Sequence, residues 1–260
     1  MTRVIGLQAD IAWEDKPANY RKVRENLEAV SPPSGSLIVL PEMFPTGFSM
    51  NVREIAEGPE RETDRFYAEK AQRYGIFVLG GMVALGLDGR GRNEAAVFGP
   101  DGREIRRYCK IHPFTYGGET EHYSSGCEVV TFEWAGFTVA PFICYDLRFP
   151  EVFRHAARRG ADLFTVIANW PQPRESHWVT LLQARAIENQ AYVVGVNRCG
   201  NDPQLAYSGR SLIVDPRGAV LADGGNAEGW ISADLNLEDL QTYRRHFPAL
   251  ADMRTEFLKA

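Results

Sequence analysis

Short runs of β-branched and aliphatic residues recur along this chain, and stretches with helical spacing stand between them, which confines it to layered α/β folds. RVIGLQA, SLIVLPE and IFVLGGMV read as strands, with helices predicted from Asn19 to Val30 and from Arg61 to Tyr74. FTVAPFICYD, DLFTVIAN and YVVGVNR repeat the rhythm, with helices over Pro150–Arg159 and Glu175–Gln190. In the second of these, Trp178, Leu181, Leu182, Ala186 and Asn189 fall at three- and four-residue spacing and form a buried stripe. Tight turns at GPDG and PRG make hairpins of RNEAAVFGPDGREIRRY and RSLIVDPRGAVLAD, so antiparallel strands join the sheets. GWISADL is a last strand, and a helix from Glu238 to Phe247 precedes a polar tail. No linker interrupts the pattern, so residues 1–260 are read as one domain.

Composition narrows the partners. Lys plus Arg is 29 against 34 for Asp plus Glu, a net charge of −5, which phosphate backbones and anionic bilayers repel. The small clusters Arg103, Arg106, Arg107 and Arg154, Arg158, Arg159 are solvated faces on this reading, so nucleic acid is not expected as a partner. MTRVIGLQADIAW has neither the basic start nor the apolar core of a secretory signal, and no run of eighteen apolar residues occurs, so a cytoplasmic protein without a membrane partner is expected. Cys109, Cys127, Cys144 and Cys199 lie far apart with no C-x-x-C pair, and His112 and His122 lack a third ligand, so reduced thiols and no metal are expected.

Three polar residues stand where apolar strands end and side chains emerge into a cleft: Glu42, Lys110 and Cys144. In SLIVLPEMF, Pro41 stops the ladder and projects Glu42 into a poorly hydrated setting that suits a general base. Alternation along REIRRYCK turns Tyr108 and Lys110 to one face and Cys109 to the other. Lys110 then offers a fixed positive charge for a thiol or an oxyanion. Cys144 ends FTVAPFIC just before a helix-prone segment, where backbone N–H groups and the helix dipole favour thiolate. Taken singly, each residue has an ordinary structural explanation: a surface glutamate, a solvated lysine, a buried cysteine.

Together LPEMF, YCKIHPF and ICYDLRFPE, in that order, resemble the Glu, Lys and Cys signatures of the nitrilase superfamily of carbon–nitrogen hydrolases. NWPQPRESHW, LLQARAIENQAYVVGVNRCG and YSGRSLIVDPRG extend the resemblance over most of the chain, and LPEMFPTGFSM is most similar to the omega-amidase branch. The resemblance implies a four-layer α-β-β-α sandwich, a homodimer, and hydrolysis without a cofactor. It makes Cys144 the nucleophile, Glu42 the base and Lys110 the oxyanion stabiliser, helped by the backbone N–H of Tyr145. Glu119 in GGETEHYSSG takes the place of the family's second glutamate, with Glu121 the competing alignment.

The substrate class implied is the monoamide of a short dicarboxylic acid, such as 2-oxoglutaramate or 2-oxosuccinamate, cleaved through a thioester. Asn169 and Trp170, at the end of DLFTVIAN, are expected to line the cleft, and Arg174 is the candidate for the distal carboxylate. Asp146 and Arg148 are read as a pair or a helix cap, and Arg185 with Glu188 as ties for a buried helix. Arg210 before Ser211, and Ala140-Pro141 in the cysteine strand, depart from the family pattern. Rival readings are a general aliphatic amidase or nitrilase, a cysteine peptidase or amidotransferase, which would want a catalytic histidine, and a non-catalytic scaffold.

Overall fold

A computed structural model describes residues 2–254 and Glu256; the polar tail runs on into residues 255 and 257–260, outside the described residues. In chain order the strands are β1 (Thr2–Gln8), β2 (Leu37–Val39), β3 (Phe77–Leu85), β4 (Gly91–Phe98), β5 (Glu104–Cys109), β6 (Phe132–Trp134) and β7 (Phe137–Ile143). There follow β8 (Leu163–Ala168), β9 (Tyr192–Asn197), β10 (Cys199–Asn201), β11 (Ala206–Ser208), β12 (Leu212–Val214), β13 (Val220–Asp223) and β14 (Gly229–Leu235). The helices are α1 (Lys16–Val30), α2 (Val52–Ile55), α3 (Glu62–Tyr74), α4 (Glu119–His122), α5 (Pro150–Arg158), α6 (Glu175–Asn189) and α7 (Leu237–His246). Two six-stranded sheets run in the orders β14-β1-β2-β3-β4-β5 and β13-β12-β9-β8-β7-β6, and β10 pairs with β11 in a short hairpin.

The period-two alternation of each strand decides the layers. Val4, Leu37, Val39, Leu79, Ala95 and Val97 turn to one face of the first sheet and share a core with the second sheet. Their neighbours Ile5, Ile38, Val78, Ala96 and Phe98 turn the other way, onto Tyr20, Val23 and Leu27 of α1 and Phe66, Tyr67 and Ala71 of α3. In the second sheet Leu182 and Trp178 of α6 press on Gly195 of β9, while the adjacent Val196 meets Gly6 of β1. The layers are therefore α, β, β, α, as the resemblance implied. Both expected hairpins form, β4 with β5 and β12 with β13.

Helix α1 begins at Lys16, earlier than the Asn19 expected, because Asp15 caps it by accepting from Ala18 N at 3.0 Å and Pro17 occupies the first turn. Pro141 is tolerated because β6 pairs with β7 only from Phe137 to Val139, leaving β7 an edge at that point. Arg210 closes ion pairs at 2.9 Å with Glu175 and 2.8 Å with Asp223, tying the start of α6 to β13. Short elements with no periodic signature, α2, α4, β6 and the β10–β11 hairpin, complete the fold. Among the described residues no helix is long and apolar enough to cross a membrane.

Candidate active site

Glu42 leaves the end of β2 on a backbone held by its neighbours. Leu40 N still donates to Leu79 O at 2.8 Å, and Gly81 N donates to Pro41 O at 3.1 Å, so the chain lies flat against β3. A Cβ on Gly81 would stand 2.4 Å from Met43 N and 2.6 Å from Glu42 Cα, so only glycine permits this approach. Met43 then takes a left-handed turn, φ 43°. The Glu42 carboxylate is fully buried, and its Oε2 accepts from Asn169 N at 2.8 Å and Asn169 Nδ2 at 3.3 Å.

Lys110 follows β5 on the inward face with Tyr108, as the alternation predicted, and its N–H donates to Asn93 O of β4 at 2.8 Å. Its ammonium lies 2.9 Å from Glu42 Oε1 and 2.8 Å from Glu119 Oε2, all three groups buried. Glu119 opens α4 at zero exposure beside Lys110, whereas Glu121 faces solvent. Burial works against the charge on Lys110, but Glu119 and then Glu42 outweigh it and hold the ammonium well above its ordinary range. One ammonium thus serves two carboxyl groups in this buried cluster.

Cys144 sits where β7 breaks into the 3-10 turn Cys144–Arg148, with φ 46°, a left-handed conformation that costs a non-glycine residue about 1–2 kcal/mol. Buried Asp146 holds the turn: Oδ2 accepts from Ile143 N at 3.0 Å and Tyr108 Oη at 2.8 Å, and Oδ1 accepts from His112 N at 3.0 Å. The strand end that carries Lys110 is thus tied to the turn that carries Cys144. Neither task expected of Asp146 is seen among the described residues: α5 has no side-chain cap, and Asp146 is not paired with Arg148 but braces its own turn. Arg185 and Glu188 tie α6 to its neighbours as expected, Arg185 Nη2 donating to Leu147 O at 2.7 Å and Glu188 lying 4.0 Å from Arg154 of α5; the two also pair with each other at 2.9 Å.

The resting state of the thiol corrects the sequence expectation. Burial first, then the Glu42 charge, push Cys144 well above the usual thiol range, and Lys110 only partly offsets them. Thiolate is therefore not favoured. The short turn behind Cys144 supplies too little dipole to reverse two carboxylates.

Asn169, expected to line the cleft, commits its amide to Glu42, with Nδ2 also donating to Glu42 O at 2.8 Å. Trp170 is buried, its Nε1 donating to Arg174 O at 2.7 Å. The Tyr145 ring packs 4.8 Å from Phe114 and 5.2 Å from Phe149. Arg174 lies over Phe114 and Tyr116, at 5.5 and 5.9 Å. Arg148, which the sequence reading gave a structural task, stacks on Trp170 at 4.7 Å with Nη2 3.2 Å from His177 Nδ1. Burial first, and further down the like charge of Arg174, hold its guanidinium below the ordinary range, with Cys144 near enough to act on it too. Among the described residues neither arginine is in an ion pair with a carboxylate, and no group of three His, Cys, Asp or Glu side chains is arranged to hold a metal. Asn93, which bridges Glu42 and Glu119, escaped the sequence reading, although its place on the apolar face of Ala95 and Val97 marks it as an inward polar residue.

The family model described as carbon-nitrogen hydrolase matches residues 3–245. An omega-amidase, YafV, of Yersinia enterocolitica is 43% identical over 95% of this chain and 94% of its own length. A 2-oxoglutaramate amidase of Bacillus subtilis is 35% identical over 96% of both. Among solved structures, the CN-hydrolase superfamily protein XC1258 of Xanthomonas campestris superposes with a TM-score of 0.91 at 33% identity, covering 97% of each chain. Nit3 of Saccharomyces cerevisiae, from branch 10 of the nitrilase superfamily, gives 0.85 at 27% identity, covering 95% of this chain and 94% of its own. Sequence match, layer order and strand-end chemistry converge, and the chain belongs to the carbon-nitrogen hydrolase family.

Proposed function

We propose that the chain is an omega-amidase, hydrolysing monoamides of short dicarboxylic acids such as 2-oxoglutaramate to the dicarboxylate and ammonia. The observation that carries this substrate class is the pair Arg148 and Arg174, close enough to act on each other, with Arg148 in reach of Cys144 and, among the described residues, neither in an ion pair with a carboxylate. A guanidinium left unpaired beside a cleft suits an anionic end on the substrate. The kinship to an omega-amidase and a 2-oxoglutaramate amidase supports the same class.

The chemistry follows from a neutral thiol beside an ionised carboxylate. Glu42 takes the Cys144 proton as sulfur bonds to the amide carbon, so negative charge moves onto the carbonyl oxygen instead of resting on sulfur. Lys110 and the N–H of Tyr145 meet that oxygen. Glu42 returns the proton to the nitrogen, the C–N bond breaks, ammonia leaves and a thioester remains. Water then gives a proton to Glu42 and attacks the thioester; the acid departs and the sulfur recovers the proton. Glu119 holds Lys110, and Asn169 orients Glu42. The one core that both sheets share supports a single catalytic domain, and a cytoplasmic homodimer completes the reading.

The test is a substrate panel. kcat/KM for 2-oxoglutaramate should exceed that for butyramide by about 10- to 100-fold, the worth of one charge-assisted hydrogen bond set. Arg148→Ala and Arg174→Ala should narrow the gap. Equal rates on butyramide would make the protein a general aliphatic amidase, preference for a nitrile a nitrilase, and no turnover a scaffold.

A further inference from the structure

Asn93 lies on β4 at 1% exposure, on the face it shares with Ala95 and Val97 between the sheets. Its Nδ2 donates to Glu42 Oε1 at 2.7 Å and to Glu119 Oε1 at 2.9 Å. The Lys110 ammonium reaches the same two oxygens, at 2.9 and 3.2 Å. Carboxylates only accept, so the amide must turn its NH2 toward them, and its Oδ1 is left without a partner. An orphaned buried acceptor is a cost that packing does not require, since leucine has nearly the same shape.

The surroundings of Glu42 explain the bridge. Facing it are Lys110 after β5, Glu119 of α4, Cys144 after β7, Tyr123 after α4 with its hydroxyl on Ser49 O, and the amide of Asn169. Only Lys110 is cationic among them, against two carboxylates. Like charges this close share a proton unless donors hold both ionised. A protonated Glu42 cannot accept the Cys144 proton.

We propose that Asn93 is a positioning residue that keeps Glu42 ionised and available as the base by dividing one amide NH2 between the two carboxylates. This rests on Glu42 being the base. The side-chain hydrogen bonds of Asn93 go to Glu42 and Glu119, so it acts on the rate through Glu42.

The experiment is the pH profile of kcat/KM for 2-oxoglutaramate in the wild type, Asn93→Leu and Asn93→Asp. Asn93→Leu should move the acid limb up by about one to two pH units, the shift that follows from losing one hydrogen bond to an ionised group. KM should stay put, and the rate should recover at alkaline pH. Asn93→Asp, which adds a third carboxylate of the same shape, should move the limb at least as far and decides the matter if the leucine variant does not fold. A pH-independent loss in the folded variants, with the limb unmoved, would overturn the proposal and leave Asn93 a packing residue. Glu42→Gln separates the two failures. If its residual rate keeps the acid limb, the assignment of the base is wrong; if it loses the limb while both Asn93 variants keep theirs, the bridge is wrong.

Discussion

Gly81→Ala is a methyl placed against the backbone that presents Glu42. The added Cβ would stand 2.4 Å from Met43 N, 2.6 Å from Glu42 Cα and 2.6 Å from Pro41 O, and none of these is the end of a flexible side chain. Ordinary contact begins near 3.4 Å, so the segment must retreat by about 1 Å. A displacement of that size at a catalytic group costs about 10²-fold in rate, and overpacking of this kind costs about 1–3 kcal/mol in stability. The control is the adjacent Gly80→Ala. Its Cβ would meet the Tyr67 ring and hydroxyl at 2.5 Å on the opposite face of β3, away from Glu42. Both variants should lower Tm by similar amounts, read by thermal melts. Only Gly81→Ala should lose kcat on 2-oxoglutaramate at saturation, with KM nearly unchanged. Wild-type kcat in Gly81→Ala, or an equal loss in both variants, would refute the idea that β3 fixes the base.

Two other outcomes follow from the charges. Because burial and Glu42 hold the Cys144 thiol up, a small uncharged disulfide reagent should modify it more slowly than exposed Cys127 at pH 7, and its rate should climb with pH with no plateau through pH 9. Glu42→Gln should speed that modification at pH 7 while lowering amide hydrolysis by about 10²-fold or more; a plateau near neutrality would contradict both. Lys110→Met leaves Glu42 and Glu119 buried without their cation, a break that costs about 3–5 kcal/mol. The loss should be smaller at pH 5 than at pH 8 in urea unfolding, because the stranded carboxylates can then take up protons, and equal losses would argue that the cluster is not ionised.

Glu42 and Cys144 stand just past the apolar strands β2 and β7, but Lys110 follows the polar β5, EIRRYC, so the three were legible together only through the resemblance of LPEMF, YCKIHPF and ICYDLRFPE. The layers were legible in the residues themselves. Alternation in EAAVF sends Ala95 and Val97 one way and Ala96 and Phe98 the other, and both sides are apolar, so both must be covered. Resting acidity was not legible. It depends on two carboxylates from different elements meeting at one sulfur, and sequence neighbours suggested only the opposing lysine and helix. The left-handed turn at Cys144 was hidden likewise, since Asp146 secures it through Tyr108 of the other sheet and His112 in the bend beyond that strand. Asn93 was missed because one polar residue inside a strand carries no signal until its partners across the sheet are known.

The distribution of charge bears on both ends of the proposed reaction. On the proposed reading, two carboxylates, Glu42 and Glu119, face one ammonium, Lys110, deep in the site, while Arg148 and Arg174 meet the charged end of the substrate. A monoamide of a dicarboxylic acid carries one charged and one neutral end. Its carboxylate is held back by the arginines and repelled by the buried pair, so the neutral amide is the end that reaches Cys144. Hydrolysis turns that end into a second carboxylate beside ionised Glu42, where like charges and burial both oppose it. The same field that selects the amide for entry disfavours the product that replaces it, so discrimination and release have a common electrostatic origin.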